Sequence, residues 1–395
     1  MFKKIISALL TLTLCSFWVT PVFADGNPEE VISDEVIPTA ADVADIPAKS
    51  ALLMDASSGR ILFEKNADEP MAPASITKIM TLLLVFEAME EGKLSYSDMV
   101  TCSENANSMG GTQIWLEVGE QMSAEDLIKA TAINSANDAA MALAEHVGGS
   151  EIAFVEMMNQ RAKDLGMTNT HFVNPTGLDA DGHVSTARDI ALMSRELLKH
   201  QDIIKFSTVW MDSLRDGKTG LTNTNKLVRF YKGCTGLKTG TTDGAGSCLS
   251  ASAQRNGLSL IAVSMGSATS DERFSSCRTM LDYGFSAFEQ FTPEILPEDL
   301  TPVTIIKGVN KEAELSFHIP ESLLIPKGRS GDIEKTITLQ SNVEAPVLQG
   351  QKVGEAHFTL DGETICKISI AAAKEVQKMT FSNAFQILLK NLLAF

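Results

Sequence analysis

Ser75, Ile76, Thr77 and Lys78 form a Ser-x-x-Lys tetrad, followed by Ser135-Ala136-Asn137 and then by Lys238-Thr239-Gly240. Together these residue types supply acyl transfer through a serine ester: a hydroxyl to attack a carbonyl, a lysine to take its proton, a second serine to relay it, and a lysine to fix a carboxylate. The spacing of the first group matters most. Residues i and i+3 share a helix face, so the Lys78 amine falls beside the Ser75 hydroxyl, a weak nucleophile until a neighbour deprotonates it. Lys78 can accept that proton only when neutral, and burial together with the Lys238 cation would lower its pKa far enough.

These side chains need a scaffold, and the flanking sequence describes one. Ile79 to Phe86 is apolar on every side and lies between Pro73 and Gly92, which predicts a buried central helix with Ser75 at its start. There the positive end of the helix dipole favours a developing anion. Ser135 and Asn137 fall in a tight turn between helical patterns over residues 124–133 and 139–144. Lys238 precedes two strand-like runs, Ser247 to Ala253 and Leu258 to Met265, joined by turns; three antiparallel strands are expected, with Lys238 on an inner one beside a cleft. Two of the motifs have duplicates. Ser103-Glu104-Asn105 sits in a polar stretch with no strong helix on either side, and Lys218-Thr219-Gly220 sits in a run of turn composition that reads as a surface loop.

The ordered set resembles the low-molecular-weight penicillin-binding proteins, specifically the serine-type D-alanyl-D-alanine carboxypeptidases. Ala72-Pro73-Ala74-Ser75, Asn134 to Ala140, Asn174-Pro175-Thr176-Gly177-Leu178, Ser185-Thr186-Ala187-Arg188-Asp189 and Leu281 to Phe285 extend the likeness from about Ser50 to Phe288. The resemblance implies an α/β (α+β) penicillin-binding, serine β-lactamase-like catalytic domain, with a central antiparallel sheet flanked by helices. It further implies that Ser75 attacks the carbonyl between the two terminal D-alanines of a peptidoglycan stem peptide, with Lys78 as general base and Ser135 as proton relay. Asn137 would hold the substrate amide and Lys78, Lys238 would support the relay, and Thr239, with Gly240 in the same strand, would meet the substrate carboxylate. The backbone amides of Ser75 and Thr241 would form the oxyanion hole, and Arg273 matches a position that helps to hold the terminal carboxylate. Acylation by β-lactam antibiotics follows from the same chemistry. The alternatives are an endopeptidase or transpeptidase of the same fold, or a non-catalytic wall-binding protein.

Other hydrolase classes fit poorly. The six histidines form no His-Glu-x-x-His pair, and no Gly-x-Ser-x-Gly elbow is present. No Leu-Asn dipeptide occurs, so the deacylating glutamate loop of class A β-lactamases is missing. A net charge of −17 argues against nucleic-acid partners, and no cofactor or metal site is expected.

Lys3 and Lys4 before an apolar run ending at Val22-Phe23-Ala24 read as a signal peptide over residues 1–24, which implies secretion to the outer face of the membrane or the cell wall. An acidic leader (25–47), the catalytic domain (48–291), a small all-β domain (292–373) and an amphipathic helix (374–395) follow. In the resembling family such a helix anchors the protein to the membrane surface. Five cysteines remain after processing, and Cys234 and Cys248, flanking one hairpin turn, are expected to pair as a disulfide.

Overall fold

The computed structural model describes residue 43, residues 45–320 and residues 322–393. The expected signal peptide, and the leader up to residue 42, lie outside the described residues. Helix α1 (Lys78–Glu90) is buried along nearly its whole length, from Lys78 through Phe86. That follows from a run of Ile, Met, Leu, Val and Phe with no polar stripe to face water. A 3-10 turn, Ala74–Thr77, leads directly into it and carries Ser75. Helices α2 (Asn137–Gly148) and α3 (Ala187–Lys199) pack with α1 in one core that includes Ile79, Leu83, Met141, Leu143, Ile190 and Met193.

Beside these helices lies a five-stranded antiparallel sheet made of β1 (Ser50–Asp55), β2 (Ile61–Lys65), β3 (Cys234–Thr242), β4 (Gly246–Arg255) and β5 (Leu258–Ser267), in the order β2-β1-β5-β4-β3. Strand period decides what each face touches. Ile261, Val263 and Met265 of β5 join the core of α1 to α3, whereas Leu258, Leu260 and Ala262 join Leu249, Ala251 and Ala253 of β4 on the opposite face. Helix α4 (Ser270–Ala287) covers that second face with Phe274, Met280, Leu281 and Phe285. A capping box between Thr269 and Glu272 starts it, satisfying backbone donors that the first turn leaves open.

The three successive strands expected after Lys238 are present, but β3 is the edge of the sheet rather than an inner strand. The reason is topological: β1, from the start of the domain, pairs with β5 and takes the interior place. The expected disulfide is absent as well. Register sets Cys234 opposite Ala253 and Cys248 opposite Gly240, so the two thiols sit near opposite ends of the hairpin and both are free. Six residues of strand separate those positions, about 20 Å, against the less than about 7 Å between Cα atoms that a disulfide needs.

The chain divides into two compact units: the described residues up to Phe291 together with Leu324–Gly328, and Thr292–Leu323 with the residues from Arg329 onward. The second unit is built on β6 (Leu315–Phe317), β7 (Glu334–Leu339), β8 (Lys352–Leu360) and β9 (Glu363–Ala372), in the antiparallel order β6-β9-β8-β7. Val353, Ala356, Phe358 and Leu360 meet Cys366, Ile368, Ile370 and Ala372 in its interior. Strand β8 was not expected from the sequence, because a bulge at Gly354 breaks its alternation. Helix α5 (Phe381–Leu393) ends the described chain with Phe381 89%, Phe385 53% and Leu388 61% exposed. Among the described residues no helix is long and apolar enough to cross a membrane.

Candidate active site

Two backbone approaches bring the motifs together. Gly240 of β3 lies so close to the Ser75 turn that a Cβ there would stand 2.9 Å from Pro73 O and 3.1 Å from Ile76 N. Gly177 adopts φ +82° against the other side of that turn, where a Cβ would fall 1.8 Å from Ala74 O. Ala74 itself has φ +49°, a conformation that costs a non-glycine residue energy and is held by the packing around it. Ser75 is half-buried, while Ile76, Thr77 and Lys78 are fully buried.

Lys78 Nζ makes three contacts: Ser75 Oγ at 2.9 Å, Asn137 Oδ1 at 2.6 Å and Thr176 O at 2.6 Å. The last two partners can only accept. A neutral amine spends its two protons on those carbonyl oxygens, which leaves its lone pair facing Ser75 Oγ and the serine as donor. Burial, reinforced by the Lys238 charge and opposed by Asp138, holds the Lys78 pKa well below the ordinary lysine value. The arrangement is that of a base poised over a hydroxyl.

Ser135 ends a π-helical turn, Ala130–Asn134, in the left-handed conformation (φ 66°). Such turns redirect a helix and recur at functional sites. The turn presents Ser135, buried, immediately before α2, which opens with Asn137. Asn137 is held from both sides: its backbone N–H donates to Thr112 O at 2.7 Å and its Nδ2 to Gly110 O at 2.7 Å, which fixes Oδ1 toward Lys78.

On β3, Lys238 is buried and its ammonium finds one acceptor, Thr239 O at 3.1 Å. Burial first, then the Arg273 charge, lowers its pKa to about 7. Thr239 Oγ1 donates to Thr224 Oγ1 at 2.7 Å. Arg273, from α4, is buried and reaches β3: its Nη1 donates to Gly240 O at 2.9 Å, Thr241 Oγ1 at 2.7 Å and, more weakly, Cys248 O at 3.4 Å, and Thr241 Oγ1 donates to Gly240 O at 2.8 Å. Arg273 Nε is buried without a partner. Two cations with few acceptors beside one strand make a site for an anion.

The duplicate motifs lie elsewhere and do structural work. Ser103 caps the short helix Glu104–Asn107 and donates to Glu145 at 2.5 Å, while Asn105 Nδ2 donates to Glu145 and Glu151 at 3.0 Å each. Thr219–Thr222 is a strand paired with Met211–Leu214, a hairpin rather than the expected loop, and Lys218 is exposed on its turn.

Residues 37–269 match the peptidase S11 family, D-alanyl-D-alanine carboxypeptidase, and residues 292–378 match the penicillin-binding protein 5 C-terminal domain. The chain belongs to the D-alanyl-D-alanine carboxypeptidase family. It is 41% identical to the D-alanyl-D-alanine carboxypeptidase DacF of Bacillus subtilis, over 96% of each chain. Penicillin-binding protein 5 of Haemophilus influenzae superposes with a TM-score of 0.74 at 32% identity, covering 87% of this chain and all of that one. Penicillin-binding protein D2 of Listeria monocytogenes, solved in its ampicillin-bound form, superposes with a TM-score of 0.56 at 33% identity, over 61% of this chain and 99% of that one. A serine peptidase of this family with a central antiparallel sheet and an all-β C-terminal domain is what the motifs imply.

Three parts of this carboxypeptidase's site were not assigned from the sequence. The Thr176 carbonyl that anchors Lys78 is backbone and leaves no side-chain signature, although Asn174-Pro175-Thr176-Gly177 marked the loop. Asp138, legible only as a turn residue, is buried and accepts from Ile114 N and Leu116 N at 3.1 and 3.0 Å, securing the segment beside Asn137. His183 Nδ1 accepts from Val173 N at 3.0 Å, so its Nε2 carries the proton and donates to Thr77 Oγ1 at 2.8 Å. Burial, with His171 nearby, lowers the His183 pKa to about 4, so the ring is a neutral strut.

Proposed function

We propose that this enzyme removes the terminal D-alanine from peptidoglycan stem peptides through an ester on Ser75. Ser75 Oγ attacks the carbonyl between the two D-alanines while its proton passes to Lys78 Nζ. The tetrahedral oxyanion is held by the backbone amides of Ser75 and Thr241. Collapse breaks the C–N bond, and the proton reaches the departing nitrogen through the Ser135 hydroxyl. Lys238, Thr239 and Arg273 receive the terminal carboxylate, and Asn137 holds both Lys78 and the substrate amide. Water, deprotonated by Lys78, then cleaves the ester and restores Ser75. Because β3 is a sheet edge, its outward backbone groups can pair with an extended peptide. The same serine is acylated by β-lactams, which carry a strained amide and a carboxylate in a similar relation.

The observation that carries this reading is the 2.9 Å contact between Lys78 Nζ and Ser75 Oγ, with both other lysine contacts made to carbonyl oxygens. D-alanine release from a peptide ending in D-Ala-D-Ala, measured for residues 25–395 and for Ser75→Ala, tests it. Release by the parent alone is expected; equal release by both would overturn the role of Ser75.

We also propose that the protein is secreted through residues 1–24 and that α5 lies in the membrane surface. Support comes from the exposed Phe381, Phe385 and Leu388, which the fold leaves uncovered. Removing residues 380–395 should shift the protein from sedimenting to non-sedimenting in a mixture with lipid vesicles; unchanged partition would contradict the anchor.

A further inference from the structure

We infer that Arg229 binds a second carboxylate of the stem peptide, beyond that of the terminal D-alanine, and so selects acidic substrates; this rests on the carboxypeptidase reading above. The chain has 50 acidic and 33 basic residues, yet no Asp or Glu occurs from Gly217 through Thr242, a stretch holding Lys218, Lys226, Arg229, Lys232 and Lys238. The stretch ends in the strand that bears the anion-binding lysine. Lys226 reaches Asp271 at 3.7 Å, but Arg229 is exposed and meets no carboxylate among the described residues.

Arg229 is nonetheless held in place. Its guanidinium carbon lies 5.4 Å from the Trp210 ring centroid and 5.5 Å from that of Phe230, two rings set edge to face at 6.2 Å. Aromatic faces restrain a guanidinium without neutralising it, and they leave its planar fork of N–H donors for a bidentate carboxylate. An arginine paired with Asp or Glu would be occupied; this one is restrained and unpaired.

Its place fits the substrate. The short helix Leu227–Phe230 follows Thr224 and Asn225, which are tied to β3 through Thr239 Oγ1 at 2.7 Å and Gly236 O at 3.0 Å. Five residues separate Thr224 from Arg229, and only the last steps, from Leu227, are helical, so the two backbones stand at most about 14 Å apart. A carboxylate two or three residues from a peptide terminus stands about 7–10 Å from the terminal one along an extended chain. One carboxylate on the β3 site and another on Arg229 is therefore within the reach of a single peptide.

The test uses two pentapeptides ending in D-Ala-D-Ala that differ only in a glutamate side group, free acid in one and primary amide in the other. The parent enzyme should show the lower KM for the acid. Arg229→Ala should raise KM for the acid about fivefold, the upper range for an exposed ion pair, with kcat unchanged and the amide unaffected; Arg229→Lys should restore part of the difference. Equal KM values for acid and amide in the parent, or an equal change for both in Arg229→Ala, would overturn the assignment. Hydrolysis of neither peptide by the parent would overturn the carboxypeptidase reading and this inference with it.

Discussion

Lys238 and Lys218 each open a Lys-Thr-Gly tripeptide, and Asn137 and Asn105 each close a Ser-x-Asn, yet the fold treats the copies in opposite ways. Lys238 is buried at a sheet edge beside a second cation, with its pKa lowered to about 7, while Lys218 stands in water on a hairpin turn. Asn137 turns its oxygen to an amine and is braced by two loop carbonyls; Asn105 spends its amide on two surface glutamates. The motif letters are identical, so chemistry is decided by what the neighbouring elements bury and leave unpaired. Four substitutions, a pH profile and a thiol assay test that contrast.

The largest effect belongs to the lysines. Lys238→Met should weaken turnover of a D-Ala-D-Ala peptide by about 100-fold, the value of a charge-assisted hydrogen bond lost in a buried site, while Lys218→Met should stay within about twofold. Steady-state kcat/KM for both variants reads the difference directly, and equal losses would erase it. Next come the asparagines. Asn137→Ala should lower kcat/KM about tenfold or more, since Lys78 loses one of its two carbonyl acceptors. Asn105→Ala should leave kcat/KM alone and cost about 1 kcal/mol of stability through its lost bonds to Glu145 and Glu151, visible as a lower midpoint in urea.

A smaller effect comes from pH. A lysine is cationic below its pKa, so with Lys238 at about 7 the free enzyme loses this charge as pH rises above that value. KM for a substrate with a free terminal carboxylate should therefore increase above about pH 7, and KM for the corresponding terminal amide should not. A shared rise would point to another group. The smallest expectation concerns the thiols: Cys234 and Cys248 should both react with a thiol reagent in unfolded protein without reductant, because register holds them apart.

Much of this was legible because the chemistry sits on short polar residues set in apolar surroundings. Ile79 to Phe86 allowed only a buried helix, and that alone placed Lys78 under Ser75. The strand runs after Lys238 were equally plain from their turns. What stayed hidden was long-range. Nothing local in Cys234 to Thr242 says that β1 will take the inner place in the sheet and leave β3 at the edge. The Thr176 carbonyl has no side chain to announce it, and Asp138 reads as a cap until burial is known. In the small domain, Gly354 masks the alternation of β8 by shifting its register.

The proposed chemistry turns on Lys78, neutral, serving as the base for Ser75. Its most direct test is the rate at which benzylpenicillin forms a covalent adduct on Ser75, followed by intact mass for the parent and for Lys78→Ala. Acylation of Lys78→Ala should be slower by about 10³-fold, within the range for a lost general base, with the adduct still on Ser75 when it forms. Acylation of Lys78→Ala within about tenfold of the parent would contradict it.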